Sequence, residues 1–297
     1  MDYNISETST YTTPMSTTPI FSILVANYNN ARFFGDFFPR IIGQTYQNFE
    51  VIFIDDGSTD NSLEEVQKYA GQDARIKVYK NDRNMGSEYT KKRNIELSSG
   101  KYFAFADPDD FIEESTVEKV MEQFLRDDSL AMVYTNFYLA NEDLSDECKY
   151  IYPEDVPDDK ILMFGFTPNH FAAFSREKYN LTPGLDISLK RVTDRDLVLL
   201  MEEVGRVVRI PDYLYHYRIN SNSISNNRNS YKAQYWAWQA RYRACERRGL
   251  SKEDVYAEIM SYVDNKRFDF STTTDYKLGK KILALPRWIK YKLFKRK

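Results

Sequence analysis

Several features that define other protein classes are scarce or missing in this sequence. The 297 residues include two cysteines, Cys148 and Cys245, which are too few for a disulfide framework or a zinc cluster and indicate a reducing compartment. No apolar run approaches the length of a membrane-spanning helix. Neither a Gly-x-Gly-x-x-Gly motif after the first predicted strand nor a Gly-x-x-x-x-Gly-Lys-Ser/Thr motif occurs. We therefore do not expect a glycine-rich loop to hold phosphates.

Acidic residues are absent from the end of the sequence. Residues 277–297 contain nine Lys or Arg, and subtracting these from the net charge of −3 leaves −12 for residues 1–276. Aromatic residues are interleaved with the basic ones, and several apolar residues share one helical face. Such a segment is typical of an interfacial helix on an anionic membrane, although a solubilising basic tail is the alternative. At the other end, residues 1–19 lack the apolar core of a secretory signal and are expected to form a disordered leader.

Between these ends, strands and helices alternate with short connections. Hydrophobic residues make up 42% and charged residues 29% of the chain, which is an ordinary globular balance. The length of 297 residues is enough for one large domain or for one domain with appendages. Short connections between alternating strands and helices require right-handed crossovers and a mostly parallel sheet, so the fold class is α/β. The predicted strands are residues 21–29, 49–56, 75–80, 102–107 and 130–139, and the predicted helices are residues 31–46, 60–70, 86–99 and 113–126.

Polar side chains follow three of these strands at the point where each strand ends. Asn27 ends the first strand, Asp55 and Asp56 end the second, and Asp107 and Asp109 follow the fourth. Because the carboxyl ends of parallel strands meet at one edge of a sheet, we expect these groups to converge. Clustered carboxylates repel one another unless a cation lies among them, which favours a divalent metal bound to a diphosphate. Independent solvated turns are the alternative, but they would not need to share one edge.

Four segments together resemble a known family. They are Val25-Ala-Asn-Tyr-Asn29, Ile54-Asp-Asp-Gly-Ser-Thr-Asp60, Asn84-Met-Gly86 with Arg93-Asn94, and Asp107-Pro-Asp-Asp110. In this order and spacing, over about residues 20–220, they resemble the family-2 glycosyltransferases. The resemblance implies a GT-A fold, which has two abutting Rossmann-like halves on a mostly parallel mixed sheet, followed here by C-terminal helices.

The same resemblance implies a nucleotide-sugar site at this edge. Asp56 would hydrogen-bond the base, usually uracil, and residues 26–28 would wall the nucleoside pocket. Asp107 and Asp109 would form an Asp-x-Asp pair, with Asp109 as the direct ligand of Mn²⁺ or Mg²⁺. Arg93 would either contact the nucleotide or brace Asp55. The implied nucleotide-binding residues are Ala26, Asn27, Tyr28, Asp56, Arg93 and Asp107.

A second pair of carboxylates marks the predicted catalytic helix. The segment Thr193-Asp-Arg-Asp-Leu197 resembles the family's Glu-Asp-x-Asp-Leu, with Thr193 in place of the usual Glu. Two residues apart on a helix, Asp194 and Asp196 would point about 200° away from each other and could not act as one pair. By resemblance Asp194 is the general base, whereas Asp196 orders the helix start or pairs with an arginine such as Arg218. No second carboxylate is a strong candidate nucleophile, which favours inversion.

Three further residues are weaker candidates in the second half. His170 would contact the acceptor, although a single histidine is more often satisfied inside a core. His216 would complete the metal shell or contact the diphosphate. Arg218 would contact the diphosphate. For His216 and Arg218 alike, a structural role is the alternative.

These observations predict an inverting, metal-dependent transferase that moves a sugar from a UDP-sugar to a hydroxyl of a glycan or lipid-linked acceptor, in bacterial surface polysaccharide synthesis. The hypothesis places it in the cytoplasm, peripheral at the inner face of the cytoplasmic membrane, without a nucleic-acid partner; a homodimer is left open. A non-catalytic nucleotide-sugar-binding relative and a sugar nucleotidyltransferase are the alternatives. The predicted divisions are residues 1–19, the GT-A domain 20–225 (nucleotide half 20–110, acceptor half 111–225), helices 226–276, and tail 277–297.

Overall fold

The computed structural model describes residues 20–150, Leu162, residues 170–219 and residues 228–267. Within this part of the chain, nine strands form one sheet. In chain order they are β1 (Phe21–Asn27), β2 (Phe49–Asp55), β3 (Ile76–Lys80), β4 (Tyr102–Phe105), β5 (Phe111–Ile112), β6 (Leu130–Ala140), β7 (Glu147–Lys149), β8 (Ala173–Ser175) and β9 (Arg206–Arg218). Their order in the sheet is β3-β2-β1-β4-β8-β6-β9-β5, and β7 pairs with β6. Helices lie against the sheet, as the alternation in the sequence predicts. The predicted tail 277–297, the leader 1–19 and the span 268–276 lie outside the described residues.

The N-terminal half carries the parallel part of the sheet. The strands β1, β2 and β3 pair in parallel, and β4 pairs in parallel with β1. Their core faces are apolar, and every residue of β2 is buried, because helices cover a parallel sheet on both sides. The elements are β1 (Phe21–Asn27), α1 (Phe34–Ile42), β2 (Phe49–Asp55), α2 (Ser62–Ala70), β3 (Ile76–Lys80), α3 (Ser87–Leu97) and β4 (Tyr102–Phe105).

Strand register brings the predicted polar residues to the same level. Asn27 lies beside Asp55 in the parallel pair of β1 and β2, and Leu24 lies beside Phe105 in the pair of β1 and β4. Asp107 follows Phe105 by two residues, so it leaves the sheet at about the height of Asn27. The predicted convergence at one edge is therefore confirmed.

The second half mixes both strand directions. Strand β8 pairs antiparallel with β4 and β6, while β9 pairs in parallel with β6 and antiparallel with the short β5. Prediction from local pattern does not supply these long-range pairings. The elements are β5 (Phe111–Ile112), α4 (Thr116–Arg126), β6 (Leu130–Ala140), β7 (Glu147–Lys149), β8 (Ala173–Ser175), α5 (Arg176–Tyr179), α6 (Thr193–Glu202) and β9 (Arg206–Arg218).

Helix boundaries differ from the predictions where local contacts override propensity. Helix α1 ends at Ile42 rather than at residue 46 and contains Pro39 within its length. Asp60 does not directly precede α2; its carboxylate accepts the Ser62 N–H at 3.0 Å and the Ala31 N–H at 3.2 Å. Asp60 therefore ties the start of α2 to the turn before α1.

Two C-terminal helices follow, α7 (Arg228–Arg248), which packs on α6, and α8 (Lys252–Arg267), which packs on α7. The Trp238 ring lies 4.8 Å from that of Tyr256, which joins α7 to α8. Arg248 donates to Glu203 at 3.0 Å and to the Leu199 carbonyl at 2.8 Å, which joins α7 to α6. The predicted helical extension is present and supports the helix that carries Asp194.

Candidate active site

The ends of β1 and β2 are joined by a side-chain network. Asn27 Nδ2 donates to Asp55 Oδ1 at 3.0 Å, and Ser58 donates to the same carboxylate from its N–H at 3.1 Å and its hydroxyl at 2.5 Å. Asn27 and Asp55 are both buried. By contrast Tyr28 is 43% exposed and Ala26 is half-buried, so these two are open to a ligand. Their predicted role as the nucleoside wall stays a prediction.

Asp56 organises the loop between β3 and α3. Its carboxylate accepts from Asn81 Nδ2 at 2.6 Å, from the Met85 N–H at 2.9 Å and from the Gly86 N–H at 2.9 Å. Arg93 donates to the Asn81 side chain and, at 2.7 Å, to the Lys80 carbonyl. Arg93 therefore braces Asp56 through Asn81 and has no contact of this kind with Asp55.

Gly57 makes the turn after Asp56 possible. Its φ of +70° lies in the left-handed region, and a Cβ placed there would stand 2.6 Å from the backbone carbon of Arg83. A larger residue would push the loop away from Asp56. The lack of space for a side chain thus explains why position 57 is a glycine.

The segment after β4 contains two accessible carboxylates and one buried carboxyl. Asp107 and Asp109 are half-buried, and the Asp110 N–H closes a turn onto the Asp107 carbonyl at 3.0 Å. Asp110 is 2% exposed, accepts the Arg218 N–H at 2.7 Å and lies 2.6 Å from the Tyr215 hydroxyl. Burial, and then the charges of Asp109 and Asp107, raise the pKa of Asp110 well above its usual range. Asp110 anchors this turn, which we call the metal loop (residues 107–110), to β9.

Arg218 supports the metal loop from the end of β9. The buried guanidinium donates to the Asp109 carbonyl at 2.7 Å, the Glu142 carbonyl at 2.7 Å and Asp36 Oδ2 at 2.9 Å. It also stacks over the Phe33 ring. These partners give Arg218 a positioning role, while its predicted contact with the diphosphate stays a prediction.

His216 bridges two carboxylates rather than facing Asp109. Its Nε2 lies 2.7 Å from Glu113 Oε1 and its Nδ1 lies 2.9 Å from Glu147 Oε1. The ring stacks on Phe111 and Tyr138 and is buried. Because both ring nitrogens are engaged, the arrangement does not support the predicted metal or diphosphate contact by His216.

Asp194 and Asp196 diverge on α6, as the helical geometry predicts. Asp194 is exposed, and Asp196 is 3% exposed with Oδ1 3.5 Å from Arg247 Nη1. Burial raises the pKa of Asp196, and Arg247 partly offsets this shift. The expectation that Asp196 pairs with an arginine is met, but the suggested partner, Arg218, was wrong. The two arginines lie on different elements, and Arg218 is held by the metal loop.

One pocket brings together Asp194, the predicted base, and two other predicted site residues, Asp107 and His170. We call it the Asp107 pocket. Apolar side chains form one part of its wall, and polar ones from α3, the metal loop, α6 and the segment before β8 form the rest. Its described lining residues are Lys91, Phe105, Asp107, His170, Ala172, Phe174, Asp194 and Val198.

His170 lies in this pocket as a neutral ring. It stacks on Tyr215 with ring centroids 4.6 Å apart and on Tyr217 at 5.0 Å. Burial lowers its pKa to about 4, against the opposing charges of Asp107 and Asp194. The predicted acceptor contact is compatible with this location and stays a prediction.

Comparisons with known proteins bear on this geometry. The family model described as Glycosyl transferase family 2 matches residues 22–180, which is more than half of the chain. The chain belongs to glycosyltransferase family 2.

Relatives of this family-2 glycosyltransferase include enzymes of bacterial glycan synthesis. The glycosyltransferase GlyG of Streptococcus pneumoniae serotype 4 (strain ATCC BAA-334 / TIGR4) is 35% identical over 222 residues, 69% of this chain and 72% of that protein. The chondroitin synthase of Pasteurella multocida (strain Pm70) is 27% identical over 260 residues, 87% of this chain. The chain spans only 26% of that synthase, so the activity of the whole synthase does not transfer directly.

A solved structure confirms the GT-A α/β fold. S. aureus TarS 1–349 in complex with UDP-GlcNAc superposes with a TM-score of 0.62 at 17% identity, over 91% of this chain and 77% of that one. At this identity the likeness concerns the fold alone. The predicted fold class and family are thus confirmed, whereas the roles of individual residues remain predictions.

The oxygen donors of this family-2 glycosyltransferase fit the implied divalent metal. Asp107 and Asp109 are hard ligands of the kind that Mg²⁺ and Mn²⁺ prefer. Within the described ranges, no group of three or more His, Cys, Asp or Glu side chains could hold a metal.

Sequence reasoning missed three residues that shape this site. Lys91 enters the Asp107 pocket, Tyr215 contacts Asp110, and Arg247 contacts Asp196. The last two pairs are 105 and 51 residues apart in sequence, so no local pattern reports them. For Lys91, a basic residue on α3 two positions before Arg93 was the available signal.

None of the described helices is both long and apolar enough to span a bilayer.

Proposed function

We propose that this chain is an inverting, metal-dependent glycosyltransferase that moves a hexosyl or N-acetylhexosaminyl group from a UDP-sugar to a hydroxyl of a glycan or lipid-linked acceptor. The observation that carries the proposal is that Asp194 of α6 and Asp107 of the metal loop line one pocket. Membership of the family and the UDP-GlcNAc bound by TarS support the donor class. The chondroitin synthase relative supports a role in bacterial surface polysaccharide synthesis.

In this proposal Asp194 is the general base. Its exposed carboxylate takes the proton from an acceptor hydroxyl, while that oxygen bonds to the anomeric carbon of the sugar. The bond from the anomeric carbon to the diphosphate oxygen breaks on the opposite face, so the anomeric centre inverts. Apolar side chains of Phe105 and Phe174 limit water around the reacting carbon.

The metal loop holds the leaving side of the donor. Asp109, with Asp107 beside it, would bind Mn²⁺ or Mg²⁺, and a bound cation would supply charge neutralisation for the departing diphosphate. The Arg218 guanidinium donates to the Asp109 carbonyl, and the Asp110 carboxylate accepts the Arg218 N–H. These two bonds fix the loop, so Asp107 and Asp109 keep their spacing. Asp56 and Tyr28 complete the nucleotide side of the proposed site.

We also propose that the protein acts in the cytoplasm, on the inner face of the cytoplasmic membrane, bound through residues 277–297. The nine basic residues of this segment and its aromatic residues support the proposal. Cosedimentation of the full chain and of residues 1–276 with anionic liposomes tests it. Binding that is lost with the segment is expected, and equal binding by both chains would contradict it.

The test of the catalytic proposal is a donor screen. Release of UDP is measured from a panel of UDP-sugars with and without Mn²⁺, for the wild type and for Asp194→Asn. We expect Asp194→Asn to bind UDP normally while turnover falls by about 10²- to 10⁴-fold, since a positioned base contributes that much. Asp128→Asn is the matched control, because Asp128 is an exposed aspartate at the opposite sheet edge. Unchanged turnover in Asp194→Asn would remove Asp194 as the base.

A further inference from the structure

Lys91 is the cationic side chain among the described residues that line the Asp107 pocket. It lies on the second turn of α3, is half-buried, and has its Nζ 5.3 Å from the centroid of the Phe105 ring. Of the implied nucleotide-binding residues, Asp107 lines the same pocket. Arg93, two positions further along, points instead to the Lys80 carbonyl and Asn81 at the end of β3.

The environment of Lys91 keeps the ammonium charged. Burial alone would lower the pKa of Lys91, but the nearby charges of Asp107, Asp194, Glu88 and Asp109 raise it overall. His170 adds no positive charge at neutral pH because its pKa is lowered to about 4. Lys91 therefore faces an excess of carboxylates, and its three N–H groups remain charged donors.

Geometry limits which part of the donor can meet Lys91. In an inverting transfer the anomeric carbon lies between the base and the leaving diphosphate, which here means between Asp194 and the metal loop. The Asp107 pocket occupies that interval, and its apolar wall of Phe105, Ala172 and Phe174 suits the C–H face of a sugar ring. In the proposed transfer, the sugar rather than the nucleotide would therefore lie against this pocket.

We propose that Lys91 binds the transferred sugar and, together with Asp107, selects it by its hydroxyl pattern. This inference rests on the proposed function. A sugar hydroxyl is both donor and acceptor, so it can donate to the Asp107 carboxylate while accepting from the Lys91 ammonium. Only a hydroxyl with the right configuration can satisfy both groups, because a misplaced one leaves a half-buried charged group unpaired.

The charge balance also selects the class of sugar. The single charge of Lys91 is outnumbered by Asp107 and Asp194 in the pocket wall, and by Glu88 and Asp109 nearby. The charge of a cation at Asp109 would be shared with the diphosphate. A uronate carboxylate would therefore meet net negative charge, whereas a neutral hexose or N-acetylhexosamine would not.

The test compares binding of UDP with binding of UDP-sugars at saturating Mn²⁺, by isothermal titration. The ligands are UDP, UDP-glucose, UDP-galactose, UDP-GlcNAc, UDP-GalNAc and UDP-glucuronate. The variants are Lys91→Met, which removes the charge at similar length, and Lys91→Arg, which keeps it. Lys92→Met is the matched control, because the neighbouring Lys92 is exposed.

We expect Lys91→Met to leave the Kd for UDP within about twofold of the wild type. The Kd for the preferred neutral UDP-sugar should rise about 10- to 100-fold, the worth of one hydrogen bond to a charged group, and the preference between C4 epimers should shrink. Lys91→Arg should recover part of the affinity, and Lys92→Met should match the wild type.

Three results would overturn the inference. Equal losses for UDP and UDP-sugar in Lys91→Met would make Lys91 a nucleotide or diphosphate ligand. Unchanged affinity and epimer preference in both Lys91 variants would remove it from the sugar site. Tightest wild-type binding of UDP-glucuronate would refute the selection for neutral sugars. If wild-type protein bound neither UDP nor any UDP-sugar, the proposed function itself would fail, which is a different outcome.

Discussion

The neutral state of His170 makes a quantitative prediction about pH. Its pKa is lowered from 6.5 to about 4 in the folded protein. Between these two values the unfolded chain binds a proton that the folded chain does not, so the free energy of unfolding must fall as the pH falls. The full linkage is worth about 2.5 kcal/mol at pH 4.5, and partial exposure of the ring reduces our expectation to about 2 kcal/mol.

The assay is urea denaturation of the wild type and of His170→Gln at several pH values from 7.5 to 4.5. Loss of ring stacking on Tyr215 and Tyr217 should destabilise the variant by a constant amount, which does not depend on pH. Above pH 6.5 the difference between the two proteins should be flat. Below it the wild type should lose about 2 kcal/mol relative to the variant. His216, the other histidine of the chain, is present in both proteins and cancels.

A difference in stability that stays constant down to pH 4.5 would refute the reasoning. It would mean that His170 titrates as in the unfolded chain. The Asp107 pocket would then gain a second positive charge at mildly acidic pH, and the charge balance proposed around Lys91 would change with it.

Three further experiments test the metal loop and the support of α6. Arg218→Met should lower the free energy of unfolding by about 2–4 kcal/mol in urea titrations, because it leaves two backbone carbonyls and Asp36 without their donor. It should also weaken Mn²⁺-dependent UDP binding. Unchanged stability would refute the role of Arg218 in supporting the metal loop. A double-mutant cycle with Asp196→Asn and Arg247→Met should show a coupling of about 0.5–3 kcal/mol by thermal unfolding, and strict additivity would contradict the pairing of α6 with α7. Asp109→Asn should abolish the Mn²⁺ dependence of UDP binding by titration calorimetry, and a dependence equal to that of the wild type would exclude Asp109 as a ligand.

The parts of the site that follow strands could be predicted from the sequence. When carboxylates follow a strand of a parallel sheet, their position in the fold is known, because parallel strands present their carboxyl ends at one edge. Asn27, Asp55 and Asp107 were placed correctly at that edge by this reasoning alone. The divergence of Asp194 and Asp196 also followed from helical geometry, without knowledge of their neighbours.

Long-range partners could not be predicted in the same way. Asp110 appears in the sequence as one more acidic residue, yet it is buried against Tyr215, and this contact depends on the antiparallel pairing of β5 with β9. Strand β9 presents His216 to two carboxylates from distant segments. The sequence does not show these partners, and there His216 was a candidate metal or diphosphate ligand. Such roles depend on which strands pair, and the alternation of strands and helices does not specify the antiparallel half of the sheet.

Anomalous X-ray scattering from manganese in crystals soaked with UDP and MnCl₂ tests the central claim most directly. We predict one manganese peak within coordination distance of the Asp109 carboxylate, with the diphosphate beside it and the base of the nucleotide against Asp56. A nucleotide bound away from Asp56, or manganese bound away from the metal loop, would contradict the account.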